Sequence, residues 1–362
     1  MTHNHQFQTL KAMRKIFTLL SVAAVALAGA VSCDKASDAV PGARPVTLKV
    51  NVTGAGGTRA TGVVSNSPDS EAKVNTLQVL VFDGDVLDGY ARSSGVRTAT
   101  VSCTAGGREI YAVVNGNDLS GVTSKAALLG SVGELANEIS DFMMVGSVTE
   151  TLERDGNVTV PVDRLAARVV IRGIRNGLAS PSLAGDFRIQ AVYLTNVAGD
   201  CDLGLSSSRV PTKWYNRRGY EASNNLGDFT FDAVGATVAA GATYGEAHYF
   251  YSMPNSAPGR VGLAGGDTGF TPRAARLVIR AEIAGKLYDY PILLPALEAN
   301  HSYEINLVNI TRTGNPDDGS HDPDDPDDTD EERPVEGVEQ GFEITVNDWN
   351  VVLVGGSGDI EI

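Results

Sequence analysis

Apolar and polar residues alternate in short runs along most of the chain, the pattern of half-buried β-strands. The clearest run is 46–53, in which valine or leucine occupies every second position (Val46, Leu48, Val50 and Val52). Other strands are predicted where apolar runs end in turn residues, and Ala284-Gly285 marks a hairpin. These strands are 74–83, 109–115, 158–162, 187–196, 276–283, 286–294 and 302–310.

Two segments depart from the strand pattern. Between Ser124 and Ile139, apolar residues recur at helical spacing behind a serine that can cap a helix, so we predict a helix there. The stretch from Val197 to Tyr244 is rich in glycine, serine and asparagine around Trp214 and Tyr215, and it is predicted to form long loops.

Length and composition support an all-β protein with two domains. The chain has 362 residues, of which 40 are glycine, and strong helical patterns are few. Strands separated by turn signals at short spacing favour β-sandwiches. We place one sandwich at 60–163 and the other at 164–314, where the stretch 164–172 begins the second.

The C-terminus carries a hydrophobic strand on a polar tether. The tether, 315–340, contains twelve Asp or Glu residues and one Arg. It therefore accounts for eleven of the fifteen net negative charges of the chain. The segment 341–362 then contains one long strand or two short ones, with Ile344 and Val346 on one side and Trp349 on the other. Such a strand either folds back onto its own domain or is meant for another molecule.

Charge and motifs exclude several functions. The chain has no basic patch for nucleic acid, and the acidic run lacks EF-hand spacing, so a solvated linker is favoured over a calcium site. Metalloprotease, serine-hydrolase, P-loop and Cys-x-x-Cys motifs are absent from the sequence. We therefore predict no enzyme activity and no cofactor, and we expect His248 and His301 to be structural.

The N-terminus has the pattern of an export signal. Basic residues at 11–15 precede an apolar stretch, 16–31, which ends in small residues before Cys33 and resembles a lipoprotein lipobox. Cys33 is the predicted lipidation site, although Ala30 stands where leucine is usual; a plain secretory signal is the alternative. The remaining cysteines, Cys103 and Cys201, lie in different predicted domains, which favours buried free thiols over a disulfide.

Several stretches together resemble the fimbrillin family of Bacteroidales, the subunits of surface filaments called type V pili. They occur in order over nearly the whole chain. The stretches are the lipobox at Cys33, LQVLVFD (77–83), YAVVN (111–115), RLAARV (164–169), YSMPN (251–255), NHSYEI (300–305) and ITVNDW (344–349). The acidic tether and the region near Trp214 depart from the family pattern.

The resemblance implies two transthyretin-like β-sandwich domains and a maturation route. A lipoprotein precursor reaches the outer membrane, and an Arg-specific surface protease cuts after the first strand. That cut is expected after Arg59, which makes Ala60 the new N-terminus and 34–59 a propeptide. Arg44 is a weaker alternative, because cutting there would leave the strand 46–53 attached.

The resemblance also implies assembly by strand exchange. Removing 46–53 would open a groove, and the C-terminal segment of a neighbouring copy would fill it. The expected partners are other copies and accessory fimbrial subunits in a cell-surface fimbrium that serves adhesion and virulence. The expected donor residues are Ile344, Val346, Trp349, Val351 and Leu353.

Two alternatives remain open at this point. One is a lipid-anchored accessory or anchor subunit, which would keep its first strand. The other is a surface lipoprotein outside any filament, which would bind glycan through loops near Trp214 and stay monomeric with residues 33–59 in place. Trp349 itself is predicted to be an anchor in a partner's pocket rather than a carbohydrate-stacking residue.

Overall fold

The computed structural model describes residues 44–54, 71–258, 270–317, 335, 345–348 and 359–361. All of them fall within the unit that spans residues 42–362. The described chain is mostly β-strand, arranged as two β-sandwich bodies, as the sequence predicts. Within this part of the chain, neither α-helix is long or apolar enough to cross a membrane.

The first sandwich consists of a three-stranded and a five-stranded sheet. Its elements are β1 (Pro45–Thr53), β2 (Thr76–Asp83), β3 (Val86–Ser94), β4 (Thr98–Thr104), β5 (Gly106–Val114), α1 (Lys125–Leu129), β6 (Val132–Glu134), β7 (Met144–Leu152), β8 (Gly156–Pro161) and β9 (Asp163–Arg164). The strand order is β4-β1-β8 in the smaller sheet and β3-β2-β5-β7-β9 in the larger one. Strand β6 belongs to neither sheet.

The second sandwich has one five-stranded sheet opposite two four-stranded sheets. Its first elements are β10 (Ala167–Ile171), β11 (Ile174–Asn176), α2 (Pro181–Ala184), β12 (Phe187–Thr195), β13 (Val197–Ala198), β14 (Asp200–Asp202), β15 (Trp214–Tyr215), a 3-10 helix (Gly227–Phe229), β16 (Phe231–Thr237) and β17 (Thr243–Tyr244). The others are β18 (His248–Ser252), β19 (Arg276–Ile283), β20 (Lys286–Leu293), β21 (His301–Ile305), β22 (Leu307–Ile310), β23 (Asn315–Pro316), β24 (Thr345–Asp348) and β25 (Asp359–Glu361).

The strand order of the second sandwich follows from its pairings. The sheets run β16-β12-β19-β20-β23, β18-β10-β21-β24 and β17-β11-β22-β25. Two small two-stranded sheets complete the fold, β13-β15 and β14-β6. The second of these joins the halves of the chain, because β6 precedes the second sandwich in sequence and β14 lies within it.

Strand β2 is buried on both faces, which explains its continuous apolar sequence. Leu77 and Val79 point into the first sandwich and belong to the same apolar cluster as β1. Leu80 and Phe82 point the other way and belong to the cluster that fills the second sandwich. A strand between two cores loses the hydrophobic alternation of a half-buried strand. Strand β2 therefore contributes side chains to the apolar cores of both sandwiches, so the two are packed together through this strand.

The predicted helix at 124–139 is wrong beyond its first turns. Ser124 does cap it, since its Oγ accepts a hydrogen bond from the Ala127 N–H at 3.1 Å, but the helix ends at Leu129. Strand β6 follows at once and pairs with β14. An ideal Cβ on Gly133 would lie 2.8 Å from the sulfur of Met143 and 3.1 Å from a methyl carbon of Leu165, so side chains pack closely against this strand.

The prediction of long loops between Val197 and Tyr244 is wrong for 231–237, which forms the edge strand β16. Its pairing with β12 shifts register between Ile189 and Ala191, and Gly235 has a φ of +66°. A bulge of this kind interrupts the period-two pattern that identifies a strand in a sequence. The other regular pieces in the region are two or three residues long.

The hairpin predicted across Ala284-Gly285 is confirmed. Strands β19 and β20 pair antiparallel from Arg276 opposite Leu293 to Ile283 opposite Lys286. Both turn residues lie in the left-handed region, with φ of 50° at Ala284 and 76° at Gly285. Two-residue hairpin turns with two positive φ values match the twist of the strands that they join.

We expect Ala284→Gly to stabilise the protein by about 0.5–1 kcal/mol, because alanine is strained at positive φ and glycine is not. The matched change Gly285→Ala should destabilise it by about 1 kcal/mol for the same reason. Urea unfolding of the two variants measures both effects. A loss of stability in Ala284→Gly as large as that in Gly285→Ala would contradict this description of the turn.

Candidate functional site

Strand β1 is the middle strand of the smaller sheet in the first sandwich. It pairs antiparallel with β4, where Val46 lies opposite Cys103 and Leu48 opposite Val101. On its other side it pairs parallel with β8, where Val52 lies opposite Val160. Its four inward side chains are at most 3% exposed, at Val46, Leu48, Val50 and Val52. The alternation in the sequence thus corresponds to one buried and one outward face.

Because β1 is central, its absence would leave two faults in the first sandwich. Strands β4 and β8 pair with β1 but not with each other, so both would lose their backbone partners. The four inward side chains would also leave an apolar groove. At about 1.5–3 kcal/mol for each buried aliphatic side chain, they represent roughly 6–12 kcal/mol of burial before entropy is counted.

The end of β1 is fastened to its surroundings. The Val162 N–H donates to the Thr53 carbonyl at 2.8 Å, and the Val52 N–H donates to the Arg97 carbonyl at 3.0 Å. Gly54 adopts a φ of +91°, and an ideal Cβ there would lie 2.7 Å from the Val162 carbonyl oxygen, so only glycine fits. The strand therefore ends sharply at Gly54.

The predicted lipidation and cleavage residues lie outside the described residues. These are Cys33, Arg59 and Ala60. The alternative cleavage residue, Arg44, is described, and its carbonyl accepts a hydrogen bond from the Ala105 N–H at 2.7 Å just before β1. The predicted cut after Arg59 thus falls between two described residues, Gly54 and Glu71.

Both described cysteines are free and buried, as expected. Burial raises the pKa of the Cys103 thiol to about 11, with a further contribution from the Asp88 carboxylate. Burial likewise raises the pKa of Cys201 to about 12, helped by Asp202. Neither thiol is a ready nucleophile, but Cys103 lies directly opposite Val46 and so reports on whether β1 is present.

The C-terminal segment pairs in part with its own domain. Strand β24 runs antiparallel to β21, from Thr345 opposite Glu304 to Asp348 opposite His301, and β25 runs parallel to β22. Of the two outcomes that the sequence leaves open for this segment, these residues show the first, a strand folded back onto its own domain. Without β24, β21 would be an open sheet edge with unpaired backbone groups, which explains the pairing.

Most predicted donor residues lie outside the described part of the chain. Val346 is in β24, with its backbone opposite Tyr303. The others are Ile344, Trp349, Val351 and Leu353. Their role in a partner's groove therefore stays a prediction.

The predicted tether begins inside the second sandwich. Strand β23, Asn315–Pro316, pairs with β20, and Asp317 lies 3.5 Å from the Arg280 guanidinium. Val335 is described and buried. Among the described residues, no group of three His, Cys, Asp or Glu side chains could hold a metal ion. Most of the acidic run lies outside this range, so the calcium alternative is not tested.

The two histidines have structural partners. His248 on β18 lies with its Nδ1 2.6 Å from an Asp232 carboxylate oxygen on β16, and its ring stacks on Tyr244. This contact connects edge strands of opposite sheets in the second sandwich. The Nδ1 atom of His301 lies 2.8 Å from the Ala299 carbonyl oxygen. Neither arrangement suggests catalysis.

A cavity of about 720 Å³ lies beside Trp214 in the second sandwich. Leu205, Val210 and several prolines form much of its wall. The indole is only 9% exposed; its Nε1–H donates to the Pro211 carbonyl at 2.9 Å, and Phe270 packs on its ring at 5.4 Å. Trp214 is thus a wall residue, and it presents little ring surface to a sugar.

Comparison with known proteins assigns this architecture to a class. Residues 45–163, which begin at β1 and end in β9, match the family model described as "Major fimbrial subunit protein (FimA)". No curated protein sequence matches the chain. The matched range contains both sheets of the first sandwich and begins at β1, the central strand of the smaller one.

Solved structures share this fold at low sequence identity. A candidate cell adhesion protein from Bacteroides eggerthii is 18% identical with a TM-score of 0.58, and the match covers 90% of this chain and 100% of that one. A candidate cell adhesion protein from Parabacteroides distasonis is 15% identical with a TM-score of 0.53, covering 84% and 96%. The fimbrilin FimA of Porphyromonas gingivalis is 16% identical with a TM-score of 0.50, covering 74% and 91%.

Residues 45–163 of the chain match the FimA fimbrillin family of Bacteroidales in sequence, and the chain shares the fold of the solved FimA structure over most of its length. This is a family of structural fimbrial subunits rather than enzymes, as the sequence predicts. The resemblance to this family stated from the motifs is thereby confirmed.

We expect Leu48→Ala to destabilise the intact chain by about 2–5 kcal/mol, because it removes a fully buried side chain from the middle of β1. Lys49→Ala, one position along on the outward face, should change stability by less than about 0.5 kcal/mol. Urea unfolding of the first sandwich compares the two. Equal effects would mean that β1 is not held by its inward side chains.

Alkylation of Cys103 should report on β1. In a chain that begins at residue 34, the pKa of about 11 leaves about one thiol in a thousand ionised at pH 8, so reaction is slow and should accelerate with pH. A chain that begins at Ala60 lacks β1, and there Cys103 should react at least tenfold faster at pH 8.

Cys201 provides the internal control, because it lies in the second sandwich and should react at the same slow rate in both chains. Mass spectrometry of alkylated peptides separates the two sites. Equal protection of Cys103 with and without β1 would show that the groove does not open.

Proposed function

We propose that this fimbrial subunit polymerises by exchanging strands with its neighbours after losing β1. In this proposal it is exported as a lipoprotein on Cys33, reaches the outer membrane, and is cut after Arg59 by an Arg-specific surface protease. The mature subunit would comprise the sandwiches 60–163 and 164–314, the tether 315–340 and the donor segment 341–362. The observation that carries the proposal is the central position of β1 in its sheet, with four inward side chains that are almost completely buried.

The position of the basic residues favours Arg59 as the cleavage site. It is the only Arg or Lys between Gly54 and Glu71, so a trypsin-like cut in this segment of the sequence can occur at one place. A cut there would separate β1 from the rest of the chain covalently. A cut after Arg44 would leave β1 between β4 and β8 and would open nothing.

Exchange of the C-terminal segment into a neighbour's groove is energetically reasonable. Strand β24 has one partner strand and four paired residues on its own domain. In the groove, a strand would pair on both sides, as β1 does through seven residues with β4 and six with β8. A donor leaving β21 for the groove would thus gain backbone pairing as well as apolar burial.

The tether is long enough for this exchange. Beyond Asp317, which is bound to the second sandwich, the 23 residues 318–340 can span at most roughly 75 Å at about 3.3 Å per residue. Mutual repulsion of its carboxylates and its four prolines favour extended conformations. A donor at one end and a groove at the other make a head-to-tail contact that does not close, so repetition gives a filament of copies and accessory subunits. Adhesion would be the role of that filament.

The two alternatives have weaker support. An anchor subunit would keep β1 and its lipid, and it would need Arg59 to escape cleavage. A glycan-binding lipoprotein outside any filament would use the region near Trp214, where the ring is packed against Phe270 and hydrogen-bonded at its edge.

Deleting residues 341–362 should leave a folded, exported and cleaved subunit that cannot form filaments, because its neighbours receive no donor strand. Electron microscopy of sheared surface material and circular dichroism of the purified subunit measure assembly and folding separately. Filaments formed by the truncated subunit alone would refute the donor assignment.

The matched change at the other end is Arg59→Ala. It should yield an uncut, lipid-bearing precursor that also fails to assemble, although its donor segment is intact. Normal filaments from this variant would mean that the cut lies elsewhere or is not needed. Arg44→Ala should assemble normally and controls for loss of an arginine near β1.

A further inference from the structure

The chain on the far side of the proposed cleavage loop is fastened over several consecutive residues. The Ala72 carbonyl accepts a hydrogen bond from the Arg97 guanidinium at 2.7 Å, and the Lys73 carbonyl accepts one from the Asn115 side chain at 2.9 Å. The Asn75 N–H donates to the Asn115 side-chain oxygen at 2.9 Å. These contacts hold the approach to β2 in place.

Glu71 is the first described residue after the loop, and it is bound to the second sandwich. Its residue surface is only 2% exposed. Its carboxylate accepts a hydrogen bond from the Tyr251 hydroxyl at 2.9 Å and pairs with the Arg168 guanidinium at 3.1 Å. Its backbone carbonyl accepts a bond from Arg164 Nε at 3.1 Å. The side chain of Glu71 is thus held by the second sandwich, and its backbone is held by Arg164 at the end of the first.

The partners of Glu71 are themselves positioned by a buried polar network. The Arg168 Nε–H donates to the Ser302 hydroxyl at 3.1 Å, and its guanidinium lies 3.8 Å from Glu304. Arg172 pairs with the same Glu304 carboxylate at 2.5 Å. In such a network each charged side chain is held in position by its hydrogen-bond partners. Removing one partner leaves a buried charge without compensation, which is destabilising.

Arg97 contacts both ends of the loop. Its backbone carbonyl binds the Val52 N–H of β1 at 3.0 Å, and its guanidinium binds the Ala72 carbonyl at 2.7 Å. The two ends differ in what holds them. The β1 end depends on the small sheet, whereas the carboxylate of Glu71 binds Arg168 and Tyr251 of the second sandwich.

We propose that Glu71 is a positioning residue for maturation: a clasp, together with Arg168 and Tyr251, that keeps the chain from residue 71 onward in place when β1 is released. The inference rests on the proposed cleavage and release of β1. With the clasp closed, β2 keeps its position, and its inward residues Leu77 and Val79 continue to form the wall opposite the groove. The clasp also protects the peptide bonds that follow Glu71 from proteases, because the chain there stays folded.

The sequence supplies a direct test of that limit. After Arg59, the next trypsin site is Lys73, two residues beyond Glu71, and its side chain is exposed. In the precursor from residue 34 onward, trypsin should cut after Arg59 and leave Ala60 as the new N-terminus. Cleavage after Lys73 should be at least tenfold slower. Intact mass and N-terminal peptide mapping over time measure both rates.

Glu71→Ala should accelerate cleavage after Lys73 at least tenfold without changing the rate after Arg59, giving a product that begins at Val74. Glu71→Gln keeps an acceptor for Tyr251 but loses the charge facing Arg168, so its effect should be intermediate. Glu109→Gln is the matched control. It removes the same charge from a half-exposed pair with Lys125, and it should leave Lys73 protected.

Three results would overturn the clasp. Lys73 could be cut as fast as Arg59 in the unaltered chain, or it could stay protected in both Glu71 variants. A Glu71 variant could also accelerate cleavage equally at all basic sites, which would mean general destabilisation. The readout uses purified protein and trypsin, so a failure of filament assembly by strand exchange would leave it unaffected and distinguishable.

Discussion

The position of β1 between β4 and β8 is the constraint on which the rest of the molecule depends. A central strand satisfies two sheet edges with its backbone and one core with its side chains, so no other described strand of that sheet can substitute for it. The central position of β1 also restricts which strands could take its place. Whatever fills the groove must be extended, apolar at alternate positions and able to pair on both sides.

Contacts between the two sandwiches limit how much of the structure is disturbed when β1 is lost. Strand β2 contributes Leu77 to the core beneath β1 and Phe82 to the core of the second sandwich, so it is held from the side that does not change. The ion pair between Glu71 and Arg168 adds a polar link at the start of the same stretch. A subunit that must lose one strand without unfolding benefits from such an asymmetric attachment.

Much of the fold could be predicted from the sequence where the pattern of side chains is local. The alternation in 46–53 and the Ala284-Gly285 turn each encode their structure within a few residues, and both were confirmed. The helix predicted at 124–139 ends at Leu129, because the residues that follow it pair as β6 with β14 in the second half of the sequence. Strand 231–237 was missed because a bulge against β12 breaks its period.

The candidate site likewise has a part that the local sequence predicts and a part that depends on residues far away in the chain. The strand β1 was evident from its own residues, but its central position depends on the distant partners β4 and β8. Nothing local marks Glu71 as a buried group, since its partners Arg168 and Tyr251 lie 97 and 180 residues away in the chain. Long-range ion pairs of this kind become visible only in three dimensions.

The most direct test of the central claim is the N-terminus of the subunit in filaments sheared from cells, read by intact mass and peptide mapping. A free Ala60 start in material that lacks the peptide 34–59 would mean that β1 has been removed, as the account predicts. An acylated Cys33 start in the assembled filament would contradict the account, because the groove would still be filled by the chain's own strand.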